Sequence, residues 1–93
     1  MVADVVEPVH QPWFVYVLYS VSTGRTYVGI TTHPARRLQQ HNDGKGAKAC
    51  RIGRPWSMPY AEMVGSKSLA LQREAAIKKL KRRDKLILAG LAA

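Results

Sequence analysis

Two tyrosines near the start of the chain are spaced so that their hydroxyl groups can share one site. Tyr16 lies in an apolar run typical of a strand, and Tyr27 follows the turn-forming residues 21–24. A four-residue turn at this point pairs Leu18 with Tyr27 and Tyr16 with Gly29 across a hairpin. Diagonal neighbours on paired strands lie on one face of the sheet, so we expect the two phenols to converge.

The same register gives Gly29 a structural role. A glycine opposite Tyr16 is expected to leave open space over the phenol, through which a substrate phosphate can approach. A three-residue turn would instead place Tyr27 on the other face of the sheet. The ordinary alternative is that both tyrosines simply fill a half-buried sheet.

A second pair of chemically useful side chains lies on a predicted helix. Pro34 suits the first position of a helix and Gly44 its C-terminal end, so the helix is predicted over residues 33–43. Arg37 and His41 are four residues apart and therefore share one helix face. The planar guanidinium can bind a phosphate, and the imidazole can relay a proton or hold a hydroxyl group. By itself this spacing is also common among exposed residues.

Glu74 is a candidate metal ligand on a second predicted helix. A helical wheel places Glu74 at the edge of the apolar face, and Arg73 inside that face with its stem covering the core. The residues predicted to form the apolar face are Leu69, Ala76, Ile77 and Leu80. Carboxylate oxygens suit hard cations such as Mg²⁺, which often bind only one or two protein carboxylates. The alternative is an ion pair with Lys78, four residues later.

The overall charge indicates an anionic partner. The chain has 93 residues, of which 46% are hydrophobic, and this is enough for one domain with a modest core. Its 15 Lys and Arg against 6 Asp and Glu leave a net charge of +9. Nucleic acid is the commonest partner of a small basic domain. A protein partner or an anionic membrane surface is the alternative.

Most of this positive charge falls into two stretches. Residues 36–54 contain Asp43 as their one acid, and residues 66–85 contain Glu74 and Asp84. The conservative interpretation is two solvated helix faces, but the excess of one sign favours a binding surface. The side chains predicted to contact nucleic acid are Arg36, Lys45, Lys48, Lys78 and Arg82.

The sequence predicts a cytoplasmic protein that does not enter membranes. No apolar run approaches the roughly 20 residues that a membrane-spanning helix needs. Asp4 and Glu7 occupy the region in which a secretion signal is basic. Cys50 is the single cysteine, so an internal disulfide is excluded and an inert, buried or half-buried thiol is expected.

The predicted order of elements is β-β-α-β-α-α, an α+β domain in which a small three-stranded antiparallel sheet is flanked by helices. Residues 1–12 are predicted to be a flexible leader and residues 13–90 the folded domain. The strands are predicted at residues 13–19, 25–31 and 60–64. The second helix is predicted from Ser66 or Ser68 to about Leu80, and the third from about Arg82 to Ala89, ending at Gly90.

Together these residues resemble the GIY-YIG nuclease superfamily. The first motif is present as Val15-Tyr16-Val17 and the second as Tyr27-Val28-Gly29, at the separation usual in the family. Residues 30–41 are similar to the family helix that carries an arginine and, in many members, a histidine four residues later. Glu74 matches the metal-binding glutamate. The similarity covers about residues 13–88.

The chain looks closest to the small stand-alone bacterial members of that family. A loop like Gly44-Lys45-Gly46-Ala47-Lys48 is typical of them. Two features depart from the family pattern. The first motif lacks its Gly and Ile although Tyr16 remains, and no Asn follows Glu74, whereas several members have one.

The resemblance implies an endonuclease that hydrolyses DNA phosphodiester bonds with one Mg²⁺ or Mn²⁺ per site, held by Glu74. Tyr16, helped by Tyr27 and His41, would position and deprotonate the attacking water. Arg37 would stabilise the charge of the transition state. The reference pKa of tyrosine is about 10, so a base near pH 7 requires adjacent cations to lower it.

The nature of the substrate stays open at this point. Single-stranded or structured DNA, as in repair and recombination, is expected, and duplex DNA and RNA are alternatives. No small-molecule cofactor is implied. A catalytically silent nucleic-acid-binding module with the same fold is the alternative function, because it would need the same basic residues.

Overall fold

Three strands and three α-helices follow one another along residues 11–93, the part of the chain that this computed structural model describes. The predicted leader, residues 1–12, lies almost entirely outside the described residues. The order is β-β-α-β-α-α, which confirms the predicted α+β fold. The elements are β1 Trp13–Ser20, β2 Thr26–Thr31, α1 Pro34–Asn42, β3 Trp56–Gly65, α2 Lys67–Lys78 and α3 Arg82–Leu88, with a 3₁₀ turn at Lys48–Cys50.

The sheet is antiparallel, with β1 in the centre between β2 and β3. The turn between β1 and β2 is closed by Gly24, whose φ of 72° suits a residue without a side chain. Leu18 pairs with Tyr27 and Tyr16 with Gly29, as the four-residue turn predicts. Tyr16 and Tyr27 therefore lie on the same face of the sheet.

Both faces of β1 are buried, which explains why its sequence does not alternate between apolar and polar residues. One face packs against α2 and α3, and its core consists of Val15, Val17, Val28, Ile77 and Ala89. The other face packs against α1 and the loop that follows it. The core on that side consists of Tyr16, Leu18, Cys50 and Trp56. Candidate site residues on this second face are therefore shielded from solvent.

Strand β3 begins at Trp56, so the predicted start at residue 60 was wrong. Because proline has no N–H to donate, Pro55 and Pro59 favour an edge strand or an irregular start just before residue 60. In the structure Pro59 lies inside the strand, where the pairing with β1 shifts between Val17 and Tyr19. An edge strand with a bulge tolerates a proline because the missing hydrogen bond is not needed there.

Helix α1 agrees with its prediction. His33 and Asp43 are its cap residues, and Gly44 follows with a φ of 77°. The left-handed backbone at Gly44 lets the next amide, that of Lys45, donate to the Gln40 carbonyl at 2.9 Å and close the helix. This sharp stop directs the following loop back over the helix face that carries His41.

Helix α2 is rotated away from the predicted orientation. Ser66 caps it by accepting a hydrogen bond from the Leu69 N–H at 3.1 Å. The face turned to the sheet contains Ala70, Arg73, Glu74 and Ile77, whereas Leu69, Ala76 and Leu80 are exposed. Of the predicted apolar face only Ile77 is buried. Glu74 consequently lies closer to the sheet than its predicted place at the edge of the apolar face, and Arg73 lies on the sheet side, where the pattern also placed it.

Candidate active site

Tyr16 and His41 form a buried hydrogen bond at the centre of the site. The Tyr16 hydroxyl lies 2.8 Å from His41 Nε2, and both residues are almost fully buried. Strand β1 positions Tyr16, and the last turn of α1 positions His41. Side chains that are separated by 25 residues in sequence thus meet where α1 crosses the sheet.

Tyr27 and Arg37 complete the cluster. The Tyr27 ring packs edge-on against the His41 ring, with centroids 5.4 Å apart, and lies 6.5 Å from the Tyr16 ring. The Arg37 guanidinium lies beside the Tyr16 phenol, and its Nη1 also donates to Gln40 Oε1 at 3.0 Å. The structure therefore brings together Tyr16, Tyr27, Arg37 and His41.

Two glycines allow this cluster to form, but Gly29 does so differently from the prediction. The space over Gly29 is not open, because the Tyr16 phenol itself occupies it. A Cβ atom at Gly29 would collide with Tyr16 Oη and Cζ. Gly46 likewise leaves room for the imidazole ring of His41, since a Cβ atom at Gly46 would collide with His41 Nδ1. Sequence reasoning identified Gly46 only as part of a basic loop.

The backbone after α1 fixes the protonation pattern of His41. The Ala47 N–H donates to His41 Nδ1 at 3.3 Å, so Nδ1 is an acceptor and the proton of the neutral ring is on Nε2. Nε2–H therefore donates to the Tyr16 oxygen. The Tyr16 O–H is left free to donate to another group.

Burial keeps both central groups neutral near pH 7. Burial, together with the smaller effect of the positive charge of Arg37, lowers the pKa of His41 to about 4. Burial likewise raises the pKa of Tyr16 to about 12, although hydrogen bonding and charge from Arg37 oppose the rise. The adjacent cation thus does not lower the pKa of Tyr16 below its usual value, as a base near pH 7 would require.

Cys50 is part of the hydrophobic core that packs behind the tyrosine rings of the site. It is buried in the same core cluster as Tyr16, and burial raises the pKa of its thiol to about 11. A buried thiol that stays protonated is a poor nucleophile. This agrees with the prediction of an inert cysteine.

Glu74 lies on α2, the helix that packs against the other face of the sheet. Its side chain is only 19% exposed, and its Oε2 lies 3.5 Å from Lys78 Nζ. Burial is the main cause that raises the pKa of Tyr27, and the Glu74 charge adds to it while Arg37 opposes it. Glu74 and Arg37 thus act on the Tyr27 phenol electrostatically, with opposite effects on its pKa. The ion pair with Lys78, the alternative to metal binding, is present.

Comparison with known proteins places this arrangement in a family. The family described as the GIY-YIG catalytic domain matches residues 12–86, most of the chain. The chain belongs to the GIY-YIG family. Among curated relatives, UPF0213 protein YhbQ of Escherichia coli is 43% identical over 74 residues, which cover 80% of this chain and 73% of the relative. A UPF0213 protein of Citrobacter koseri matches with the same identity and coverage.

Two solved structures share the GIY-YIG fold seen here. The solution structure of a UPF0213 protein from Bacillus halodurans is 37% identical, with a TM-score of 0.52 over 85% of this chain and 83% of that one. The solution structure of a protein from E. faecalis is 41% identical, with a TM-score of 0.56 over 82% of this chain and 80% of that one. Both similarities extend over most of the domain.

The donor set around Glu74 fits a magnesium-like ion and not a zinc ion. Within residues 11–93 there is no cluster of three or more His, Cys, Asp or Glu side chains that could hold a metal. Zinc usually requires such a cluster. Mg²⁺ or Mn²⁺ can instead be held by one carboxylate, with water and substrate phosphate supplying the other oxygens. Glu74 is the residue that would hold it.

A neighbouring polar network accounts for Arg73. Its Nε donates to Glu62 Oε1 at 3.0 Å, and the Tyr60 hydroxyl donates to the same oxygen at 2.6 Å. These two hydrogen bonds hold the pKa of Glu62 below its usual value. The network links α2 to β3 one residue before Glu74. It therefore helps to hold the helix that carries the carboxylate against β3.

The predicted nucleic-acid contacts are placed around the cluster rather than in it. Arg36 lines a groove beside Arg37, and Lys45 and Lys48 are exposed in the loop after α1. Arg82, on α3, donates to the Gly24 carbonyl at the tip of the hairpin. Lys78 pairs with Glu74. No helix in the described part of the chain is long and apolar enough to cross a membrane.

Proposed function

We propose that this protein is a divalent-metal-dependent endonuclease that hydrolyses phosphodiester bonds in DNA. The observation that carries the proposal is the buried contact between the Tyr16 hydroxyl and His41 Nε2, at 2.8 Å, with Arg37 beside it. Burying a tyrosine hydroxyl and an imidazole beside a half-buried guanidinium is costly unless their polar atoms form hydrogen bonds. The net charge of +9 and membership of the GIY-YIG family support a nucleic-acid substrate.

In this proposal Arg37 binds the scissile phosphate and stabilises the negative charge that develops as water attacks phosphorus. The Tyr16 O–H, which is free to donate, holds the attacking water or a phosphate oxygen. Tyr27 forms the adjoining wall and helps to orient the same water. His41 is a positioning residue, because its Nε2–H fixes the Tyr16 oxygen and stabilises any negative charge on it.

Glu74 is proposed to hold the metal. A bound Mg²⁺ or Mn²⁺ supplies positive charge next to the phosphate and lowers the pKa of nearby water. Glu74 can provide this site because its carboxylate is largely shielded from solvent and its charge acts on Tyr27. In the present structure Lys78 forms an ion pair with the Glu74 carboxylate, and this ion pair would break when a metal binds.

Cleavage assays test this proposal. Labelled single-stranded, duplex and flapped DNA and an RNA of the same sequence should be incubated with the protein and Mg²⁺, Mn²⁺ or a chelator. We expect cleavage of at least one DNA substrate with metal and none with the chelator. Metal-independent cleavage would contradict the proposed chemistry.

Glu74→Gln is the decisive variant, and Asp84→Asn is its matched control. Both remove one negative charge without changing side-chain size, but Asp84 is exposed on α3. Glu74→Gln should reduce cleavage by roughly 100-fold or more while nucleic-acid binding is kept or becomes slightly tighter. Asp84→Asn should cleave like the parent. Equal cleavage by Glu74→Gln and the parent would exclude Glu74 as the ligand.

The alternative is a catalytically silent module that binds nucleic acid. The lack of an Asn after Glu74 favours this alternative, because several members of the family have one. It predicts salt-dependent binding with no cleavage of any substrate under any metal condition. The two functions are thus separated by the assay described above.

A further inference from the structure

A second basic surface lies at the hairpin end of the site. A cleft of about 400 Å³ opens between the start of β2 and α3, and three of its lining side chains are the cations Arg25, Arg82 and Lys85. Its other walls include the aromatic rings of Tyr27 and Trp56. Among the residues that the structure describes, none that lines the cleft is acidic. Two of the three cations, Arg25 and Lys85, were not among the predicted nucleic-acid contacts.

This cleft adjoins the candidate active site. Tyr27 lines the cleft, and its ring also packs against the His41 ring. Arg82 is held in place by donating to the Gly24 carbonyl. The arrangement presents fixed positive charge immediately beside the proposed reaction centre.

A second groove lies at the opposite end of β2. It has a volume of about 230 Å³ and is lined by Trp13, Thr31, Arg36 and Arg37, among others. Thr26 lines the cleft and Thr31 lines the groove, and five residue steps of strand separate them. This corresponds to about 17 Å, or roughly five stacked nucleotides at about 3.4 Å each.

We propose that the cleft formed by Arg25, Arg82 and Lys85 is a phosphate-binding subsite for the substrate strand on one side of the scissile bond. The groove beside Arg37 takes the backbone on the other side, so the strand runs along β2 past Tyr27. This inference rests on the proposed function, because it assigns a path to the same nucleic-acid substrate. The flat ring of Tyr27 at the boundary separates the two parts of the strand.

Paired charge variants test the subsite. Arg25→Gln/Lys85→Gln removes two cations from the cleft, and Lys79→Gln/Arg83→Gln removes two exposed cations that do not line it. Both proteins lose the same charge. Binding of a fluorescein-labelled oligothymidylate, without metal, should weaken about tenfold in the first variant and about twofold or less in the second. The slope of log K against log salt should fall by about 1.4 only in the first.

Oligonucleotide length gives a measurement on the unaltered protein. Affinity should rise when the oligomer is lengthened from about three to about eight nucleotides, because only the longer one spans both basic surfaces. That rise should be much smaller in Arg25→Gln/Lys85→Gln. A parent protein whose affinity does not depend on length in this range would overturn the subsite.

The outcomes separate this inference from the proposed function. Binding and cleavage by the parent, with equal losses in the two double variants, would remove the subsite and leave the nuclease intact. A parent that binds no nucleic acid would remove both. Thermal melting of each variant establishes that the comparison is made between folded proteins.

Discussion

At the scale of single residues, the main feature is a neutral histidine buried with both ring nitrogens occupied. His41 Nδ1 accepts from the Ala47 N–H, and Nε2 faces the Tyr16 hydroxyl. Protonating this ring would break the first hydrogen bond and place a charge beside Arg37. The stability of the fold is therefore coupled to the pH through one side chain.

Stability should fall as the pH drops below the ordinary pKa of histidine. The pKa of His41 is about 4 in the folded protein and close to 6.5 when it is unfolded, so the unfolded chain binds the proton first. Between these values the free energy of unfolding should decrease with falling pH, by up to roughly 3 kcal/mol in total. Urea unfolding measured from pH 7 to pH 5 checks this.

The control for this experiment is a variant of a solvent-exposed histidine. His41→Gln should remove most of the pH dependence above pH 5, whereas His33→Gln, which changes an exposed histidine at the start of α1, should keep it. Restricting the range to above pH 5 leaves out the titration of Glu62, whose lowered pKa acts at more acidic pH. An unchanged pH profile in His41→Gln would refute the assignment.

Gly46 should be intolerant of any side chain. Gly46→Ala places a Cβ atom against the His41 ring and should destabilise the fold by about 1–3 kcal/mol. The clash disappears when the ring is removed. His41→Ala/Gly46→Ala should therefore be more stable than the sum of the single changes by about 1 kcal/mol, measured by denaturant unfolding. If the destabilisation of the double variant equalled the sum of the two single values, Gly46 and His41 would not be in steric contact.

At the scale of elements, α2 packs against the sheet and carries Glu74, the proposed metal ligand. Arg73 anchors the helix to Glu62 on β3, and Glu74 follows on the same face toward β2. The Arg73–Glu62 pair is exposed by about 40% at each side chain, so its net stabilisation is small. The rotation of the helix is set mainly by the burial of Ala70 and Ile77 against the sheet.

Lys78 competes with a metal ion for Glu74, and this is testable. Lys78→Gln frees the carboxylate from its partner at 3.5 Å, so Mg²⁺ or Mn²⁺ should bind about two- to fivefold more tightly. Lys79→Gln changes the neighbouring C-cap residue and is the matched control. Calorimetric titration of the metal without nucleic acid gives both values. Weaker metal binding by Lys78→Gln than by Lys79→Gln would argue against Glu74 as the ligand.

At the scale of the whole molecule, a small surface carries a large excess of positive charge. The net charge is +9 on 93 residues. Such a field attracts polyanions and raises their rate of association, and it is screened by salt. The basic side chains lie in the loop after α1, on α2 and α3 and at the hairpin tip, around the site formed by Tyr16 and His41.

Nucleic-acid affinity should therefore depend strongly on salt. Each phosphate contact contributes roughly −0.7 to −0.9 to the slope of log K against log salt. Four contacts, for example by Arg36, Lys45, Lys48 and Arg25, would give a slope of roughly −3. Fluorescence anisotropy across a salt series measures it. A flat response would remove nucleic acid from the list of partners.

The sequence by itself determined the features that depend on neighbouring residues. The hairpin register follows from the length of the turn and the two-residue period of strands, and it placed Tyr16 and Tyr27 on one face. The four-residue spacing of Arg37 and His41 likewise fixed their common helix face. Glycine and serine signals located the helix ends closely. Local geometry is the physical reason that these predictions agree with the structure.

The tertiary structure decided everything that depends on contacts between distant segments. Apolar residues surround α2 on several sides, and the structure decides which of them face the sheet: Ala70 and Ile77 are buried there, whereas Leu69 and Leu80 are exposed. The phenol over Gly29 and the imidazole over Gly46 result from packing between strand, helix and loop. Arg25 and Lys85 meet in one cleft only because α3 returns to the hairpin. Such contacts leave no periodic signal in the sequence, since each partner is specified by the rest of the fold.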